Sequence, residues 1–560
     1  MTAVDAPTAD VQATFCGTLV DEWIRCGVRS AFVAPGSRST PVALALAADE
    51  RIALHVFHDE RSAAFAALGA GLRSGRPSLL LCTSGTAATH FHAAVVEADL
   101  AGVPMVVVTA DRPPELQGVG APQTIRQDNL YGGAAHWFHD PGVPTMTSAS
   151  SWRELARRCV LEARRLPSGA VHLNLPFREP LVGVPGELPP PLDTVLAHDL
   201  RRPLADETRR RLVAEWSVAR PLLVAGRGTT KEIVDAAVRR GWPVVAESRV
   251  RDSTSVVTHF DSLVRDQEFA DEEIPDLVVR VGDPPASKVL GQWMVRHHVR
   301  QIHVSPDGRV FDPDRAIAER IVCDADELVS VFVDLAEPEP MWTRRWGEAE
   351  ERARDAIDRV LRSNEPTGAS SVVAFVRSLP DDAAIVVSSS MPIRDLEWFG
   401  GPLGTRRVFS NRGANGIDGV IATAIGVATE HSGPVGVVIG DVATLHDSSS
   451  LAALARRGLD LRILVVDNDG GGIFHHLPQK TVVDPRSFEL LYGTPHGTDF
   501  AMLATAHGLT ARVARSRDDV QVGAGTTGPH VTVVKTDRER DVAAHRDMHK
   551  AVADALRDGR

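Results

Sequence analysis

Several short runs of this chain are apolar at every position rather than at every second one, and no other feature limits the fold as much. In the first third they read SAFVAPG (30–36), RIALHVFHDE (51–60), PSLLLCTSG (77–85) and VPMVVVTADRPPE (103–115). A strand with one wet face alternates apolar and polar side chains, whereas a strand covered on both faces does not. Helix-like stretches such as RSAAFAALGAGL (61–72) separate the runs. Strand, helix and strand at this spacing predict βαβ units on a parallel sheet with helices on both faces.

The pattern then recurs. A proline-rich stretch, PFREPLVGVPGELPPPLD (176–193), reads as a stiff extended linker. Beyond it come RPLLVAGRG (220–228), WPVVAES (242–248), DLVVRVGD (276–283) and RQIHVSPDG (300–308). A second break, LAEPEPMW (335–342), leads into a long helix, RRWGEAEERARDAIDRVL (344–361). After that follow AAIVVSSS (383–390), GPVGVVIGD (433–441), DLRILVVDND (460–469) and PHVTVVKTD (529–537). At 560 residues the chain is too long for one core. The predicted fold class is α/β, with three consecutive α/β domains on parallel sheets, bounded at 1–185, 195–340 and 345–560. No short repeat is visible. The first and third domains could be duplicates, which one sequence does not show.

With 43% hydrophobic and 24% charged residues, the composition is that of an ordinary globular protein. A net charge of −12 argues against a general nucleic-acid binder. The five cysteines, Cys16, Cys26, Cys82, Cys159 and Cys323, form no C-x-x-C pair, so neither a zinc site nor a disulfide framework is expected. The start, MTAVDAPTAD, has no basic n-region and no apolar h-region, and no apolar run reaches the roughly 18 residues needed to span a bilayer. A cytoplasmic enzyme without stable membrane insertion is expected.

Ligands on open parallel sheets sit beyond the carboxyl ends of strands. Two such ends stand out in the last domain: VVIGD, ending at Asp441, and VVDNDGGGIF, Val465 to Phe474. If the two strands are neighbours, Asp441 and Asn468 converge on one cation. A carboxylate, an amide oxygen and a backbone carbonyl are half of the oxygen shell that magnesium takes in company with phosphates. Glycines there would let the backbone come close to a phosphate. On its own DNDGGG also reads as a simple turn; its pairing with Asp441 favours the ligand site. Glu60, in VFHDER, reads from position alone as a carboxylate at a helix start.

GD followed some 25–30 residues later by Asn and glycines resembles the thiamine-diphosphate/Mg motif, although here it runs GDV where GDG is common. More specific stretches are PGSRSTPVALALA (35–47), FHDERSAAFAALGAG (57–71), TSGTAATHFHAAVVEA (83–98), TADRPPELQGVGAPQTIRQ (109–127), SNRGANGIDG (410–419) and KTDRERDVAAHR (535–546). Together they resemble the 2-succinyl-5-enolpyruvyl-6-hydroxy-3-cyclohexene-1-carboxylate synthases of menaquinone biosynthesis. The resemblance runs from about residue 15 to about 550 and is weakest in the central domain.

That resemblance implies pyrimidine-binding, central and pyrophosphate-binding domains in that order. It implies thiamine diphosphate as cofactor and Mg2+ (Mn2+ being possible) held by Asp441, Asn468 and the Gly470 carbonyl. Gly471, Ile473 and Ser390 would also contact the cofactor, and Ile417 would prop it into its V shape. Glu60 becomes the catalytic acid that hydrogen-bonds the pyrimidine N1′, and burial is expected to raise its pKa. The implied reaction is decarboxylation of 2-oxoglutarate and 1,4-addition of the succinyl carbanion equivalent to isochorismate. Arg is the natural partner for such carboxylates. By motif, Ser37, Arg38, Arg112 and Gln123, then Lys288, Ser390, Arg394 and Arg412, would line the substrate pocket, with Phe474 and Leu477 as an apolar wall. A homodimer with active sites shared between subunits is implied, and a tetramer stays possible.

The chain departs from the family pattern at Pro122 and Ser389, where Asn is typical, and at Val289, where Arg often follows the lysine. Two other readings compete: another thiamine-diphosphate 2-oxoacid decarboxylase or acetolactate-type synthase, and a cofactor-binding regulator without activity. The arginines argue against the first and Glu60 against the second. GRG (226–228) lacks the third glycine of a dinucleotide fingerprint. The central arginines Arg249, Arg251, Arg280 and Arg296 read as a solvated face.

Overall fold

The structure, a computed structural model, describes residues 7–193, 202–250, 255–362 and 365–558. The expected domain limits at 1, 195 and 560, and Arg251, lie outside the described residues. Among those residues are three sheets, all parallel. The first joins β1 (Ser30–Val33), β2 (Ala53–Val56), β3 (Ser78–Cys82), β4 (Met105–Asp111), β5 (Ala135–His139) and β6 (Ala170–Pro176) in the order β2-β1-β3-β4-β6-β5. The second joins β7 (Pro221–Ala225), β8 (Val244–Ala246), β9 (Leu277–Val281), β10 (Arg300–Val304) and β11 (Ile317–Ile321) in the order β11-β10-β9-β7-β8. The third joins β12 (Ala384–Val387), β13 (Arg407–Phe409), β14 (Val435–Gly440), β15 (Leu461–Asp467), β16 (Thr510–Ala514) and β17 (His530–Lys535) in the order β13-β12-β14-β15-β17-β16.

The first and third sheets therefore share one strand order. β3, β4, β6 and β15 are buried at every position, as runs apolar throughout require. β2 departs from that expectation. Its residues are exposed or half-buried because it is an edge strand.

By packing, the chain forms two compact units. The first comprises Met1–Asp199, Asn411–Ser432 and His446–Leu459. Within it, the helix Glu60–Ser74 lies against the helix Val420–Thr429. Glycines let their backbones meet: a Cβ on Gly69 would stand 2.0 Å from the Thr423 carbonyl oxygen, and one on Gly426 would stand 1.9 Å from that of Ala66. The stretch after β6 has no regular structure, yet it is a strap rather than a free linker. Gln12 Nε2 donates to the Arg178 carbonyl, the Val184 N–H donates to Asp10, and Arg153 Nε donates to the Pro189 carbonyl. The sequence missed this because the partners are polar residues more than 30 positions away.

The second unit comprises Leu200–Ser410, Gly433–Leu445 and Asp460–Arg560. Its long helix is Pro340–Leu361, with proline at the first turn, where its missing N–H leaves nothing unsatisfied. The break before it is accordingly shorter than the sequence suggests. Trp342, Trp346, Ala349, Ala353 and Ala356 are buried at helical spacing, and Trp346 meets Phe269 and Trp293 edge-on. The solvated-face reading of the central arginines is corrected for two of them. Arg280 is buried and donates to Gln301 and the Phe311 carbonyl, and Arg249 is held by Glu247. No helix among the described residues is long and apolar enough to cross a membrane.

The glycine contact gives a direct test. Gly426→Ala should lower the unfolding free energy by about 1–3 kcal/mol, the usual cost of overpacking, measured by urea denaturation. Unchanged stability would mean that the two helices part without strain.

Candidate active site

In the second unit β14 and β15 are paired neighbours, with Gly440 opposite Val466. Asp441, just after β14, and Asp467, the last residue of β15, therefore stand side by side at the carboxyl end of the sheet. Asp441 is buried, and its two oxygens are placed by backbone amides. Oδ1 accepts from Val442 N–H at 2.7 Å; Oδ2 accepts from Asn468 N–H at 3.0 Å and Gly470 N–H at 2.9 Å. Asp441, Asn468 and Gly470 are thus brought together across 29 positions. Asn468 Oδ1 is buried and has no hydrogen-bond partner among the described residues. A buried acceptor without a donor is costly, and a cation would satisfy it.

The turn is latched from one side. Asp469, with φ +56°, accepts from the N–H groups of His496 and Gly497 at 2.9 and 2.8 Å. This sets His496 Nε2 3.3 Å from Asp441 Oδ2, close but without hydrogen-bond geometry. His496 Nδ1 accepts from Thr498 N–H, so a neutral ring carries its proton on Nε2. Ligand atoms of Asp441, Asp467 and His496 lie within 4.8 Å of one another. Burial raises the Asp467 pKa, and the neighbouring Asp441 charge adds to it, against the Asp469 N–H. Two carboxylates and an imidazole in so small a space, with the orphaned Asn468 amide oxygen on the same turn, suit a divalent cation.

The glycines also answer to packing: a Cβ on Gly470 (φ +138°) would stand 1.8 Å from the Gly493 carbonyl oxygen, and one on Gly471 would stand 2.1 Å from that of Tyr492. They let the 492–494 segment close over the turn, which Gly471 N–H fixes by donating to Gly493 at 2.8 Å. Ile473 and Phe474 follow in a half-buried 3-10 turn, with the Phe474 ring 5.2 Å from that of Tyr492; Leu477 is exposed.

Other expected residues of this unit also sit at strand ends. Ser390 follows β12 in a strained backbone conformation, φ +74° and ψ −132°, as the cap of the helix Met391–Phe399. Arg394 Nη1 donates to the Ser390 carbonyl. Lys288 is exposed at the start of the helix Lys288–Arg296, after β9.

In the first unit the expected residues gather around the end of β3. Arg38 is buried; its N–H donates to Thr83, and its guanidinium donates to the Phe177 carbonyl and to Glu179 at 3.0 Å. Ser37 beside it is exposed. Arg112, after β4, donates to Ser84 Oγ at 2.8 Å; burial and then the Arg38 charge lower its pKa. Gln123 is exposed with φ +55°. Glu60 opens the helix Glu60–Ser74 only half-buried, so the burial expected for it is partial in this chain. Helix capping falls to Asp59, which accepts from Arg61 and Ser62 N–H, and that duty is lifted from Glu60. Arg412 and Ile417 lie on the loop between β13 and the helix Val420–Thr429, both half-buried.

Residues 16–130 match the model of the N-terminal thiamine pyrophosphate-binding domain of thiamine pyrophosphate enzymes, and residues 401–527 match that of the C-terminal one. A 2-succinyl-5-enolpyruvyl-6-hydroxy-3-cyclohexene-1-carboxylate synthase from Chloroflexus aurantiacus is 38% identical over 95% of this chain and 94% of its own. One from Myxococcus xanthus is 37% identical over 98% and 99%. The chain belongs to this synthase family. An X-ray structure from Mycobacterium smegmatis, described as a thiamin diphosphate-dependent enzyme, has the same fold. It gives a TM-score of 0.67 at 17% identity and covers 93% of this chain and 99% of its own. The cofactor of the family, thiamine diphosphate, accords with the donor set around Asp441.

Sequence reasoning missed His496, Asp469 and Gln127. Gln127 is buried, accepts from Gly85 N–H and donates to Asn174 and the Ala110 carbonyl, bracing the turn after β3. Its place in the APQTIRQ run was the available signal; His496 stands in a polar loop that offered none.

An orphaned buried acceptor costs about 1–3 kcal/mol. Asn468→Ala should therefore leave the cofactor-free protein at least as stable in urea as the wild type. Its affinity for magnesium thiamine diphosphate should fall more than about tenfold, the loss usual even for residues one step behind a metal ligand, as read by calorimetry. Unchanged affinity with lower stability would make Asn468 a turn residue only.

Proposed function

We propose that the chain is a carboligase, a transferase that decarboxylates 2-oxoglutarate and adds the remaining four-carbon unit 1,4 to isochorismate. The products are 2-succinyl-5-enolpyruvyl-6-hydroxy-3-cyclohexene-1-carboxylate and CO2, within menaquinone biosynthesis. The observation that carries this reading is 38% identity, over 95% of the chain, to a synthase of that name. Domain limits near 185–195 and 340–345, a cytoplasmic site of action and a homodimer, extended or not to a tetramer, belong to the same reading.

When bound, thiamine diphosphate supplies a nucleophilic carbon and an electron sink for loss of CO2. The chain's residues hold, orient and neutralise. Asp441, Asn468 and the Gly470 carbonyl would hold the magnesium (or manganese) ion, and Gly471, Ile473, Ser390 and Ile417 would contact the cofactor. Glu60 would hold a proton at the pyrimidine N1′. In the dimer, Glu60 comes from one subunit and Asp441 from the other. Freedom from capping supports the role of Glu60, because its carboxylate is not committed to the helix it begins.

Both substrates are acidic. Arg112, Gln123 and Lys288 take their carboxylates, with Ser37, Ser390, Arg394 and Arg412 completing the polar wall; Phe474 and Leu477 supply the apolar one. Arg38 joins them by exchanging Glu179, whose side chain is 74% exposed, for a substrate carboxylate.

Protein with thiamine diphosphate, Mg2+, 2-oxoglutarate and isochorismate should consume isochorismate absorbance only when both cofactors are present. Glu60→Gln should keep cofactor affinity and lose roughly 10²–10⁴-fold in turnover, the scale of one proton-transfer group. CO2 release from pyruvate with no response to isochorismate would replace this reading with that of a different 2-oxoacid enzyme.

A further inference from the structure

Glu97 is a charged residue in a place where charged residues are rare. It lies on the helix His92–Ala101 and is 3% exposed. Its two oxygens divide between two successive amides of the loop that carries Arg412. Oε1 accepts from Gly413 N–H and Oε2 from Ala414 N–H, each at 2.7 Å. Both bonds are at the short end for an N–H donor and a carboxylate.

The loop is tied at its ends as well. Asn411 Nδ2 donates to the Asp418 carbonyl at 3.3 Å, and Thr423 Oγ1 donates to Asn411 Oδ1 at 3.2 Å. Gly413 presses on the last turn of the Glu97 helix, where a Cβ would stand 2.8 Å from Ala101 N. Gly419, at φ +63°, lies over the Phe65 ring, 2.0 Å from where its Cβ would be. Between the outer ties, the Glu97 carboxylate holds the two amides that follow Arg412.

We propose that Glu97 is a positioning residue for the synthase reaction: its carboxylate clamps the Gly413–Ala414 backbone and so aims the Arg412 guanidinium at a substrate carboxylate. This rests on the carboligase reading for the role of Arg412, and on the structure alone for the clamp. Only a carboxylate fits. An amide at position 97 offers one acceptor oxygen and turns an NH2 group towards the second N–H, setting donor against donor. The helix keeps Glu97 out of contact with bulk water, so the two bonds are not exchanged for hydration. The clamp costs the substrate no ordering of Arg412 when it binds, because the loop is set in advance.

The experiment is a double-mutant cycle on Glu97→Gln and Arg412→Ala with the full-length enzyme, together with hydrogen exchange of the 411–419 peptide in cofactor-free protein. Glu97→Gln should speed exchange at Gly413 and Ala414 by about tenfold or more, because local opening sets protection. It should lower kcat/KM for isochorismate about tenfold, and the double variant should be no worse than Arg412→Ala, since residues acting as one unit are not additive. A helix that merely needs Glu97 for stability would give additive losses and an unchanged exchange rate, and either result overturns the proposal. If Glu97→Gln does not fold, Glu97→Asp carries the same measurements; failure of both to fold also overturns it. A wild-type protein inert with isochorismate would sink the carboligase reading, and hydrogen exchange would still decide the clamp.

Discussion

One carboxylate oxygen, Asp441 Oδ2, receives the N–H groups of Asn468 and Gly470, and the chemistry of the second unit depends on that pair of bonds. Parallel pairing of β14 and β15 brings the two strand ends level, but it leaves the backbone beyond them undirected. The acid supplies the direction. It draws the turn after β15 inward and leaves Asn468 Oδ1 buried without a donor. Two buried acids stand near one another there, and a divalent ion would relieve both their repulsion and the orphaned oxygen.

The same strand order in the first and third sheets means that one topology delivers two kinds of strand end. After β1, β2, β3 and β4 come Arg38, Glu60, the Thr83–Gly85 turn and Arg112. After β12, β13, β14 and β15 come Ser390, Arg412, Asp441 and Asn468. Corresponding ends thus carry Arg38, Glu60 and Arg112 in one sheet and Ser390, Arg412, Asp441 and Asn468 in the other. A shared strand order lets the sheet fix where a side chain leaves, and a single residue decides what it does there.

What the sequence made legible follows from what is local or periodic. Runs such as PSLLLCTSG and DLRILVVDND announce buried parallel strands because burial on both faces erases alternation, and strand ends then point to Asp441, Asn468 and Arg112. The long helix at 340–361 shows through its buried face. Other features could not be read because their partners are distant. The 177–193 strap looks like a linker until Gln12, Asp10 and Arg153 are seen to hold it. That Gly470 and Gly471 also make room for the 492–494 backbone shows only once that segment is in place. Glu97 is one acid among many in a helix until Gly413 and Ala414 are brought to it.

These acids explain how a chain of net charge −12 can still suit anionic substrates. Asp441, Asp469 and Glu97 spend their oxygens on backbone N–H groups, and Asp447, wholly buried, does the same for Ala422 N–H. Amide dipoles pointed at a carboxylate offset its field nearby, so each acid acts as a fastener more than as a source of negative potential. Arg112, Arg394 and Arg412 are only half-buried beyond the ends of β4, β12 and β13, and Arg394 donates to the Ser390 carbonyl. Net charge therefore says little about what such a site attracts; which charges are already satisfied by the backbone says much more.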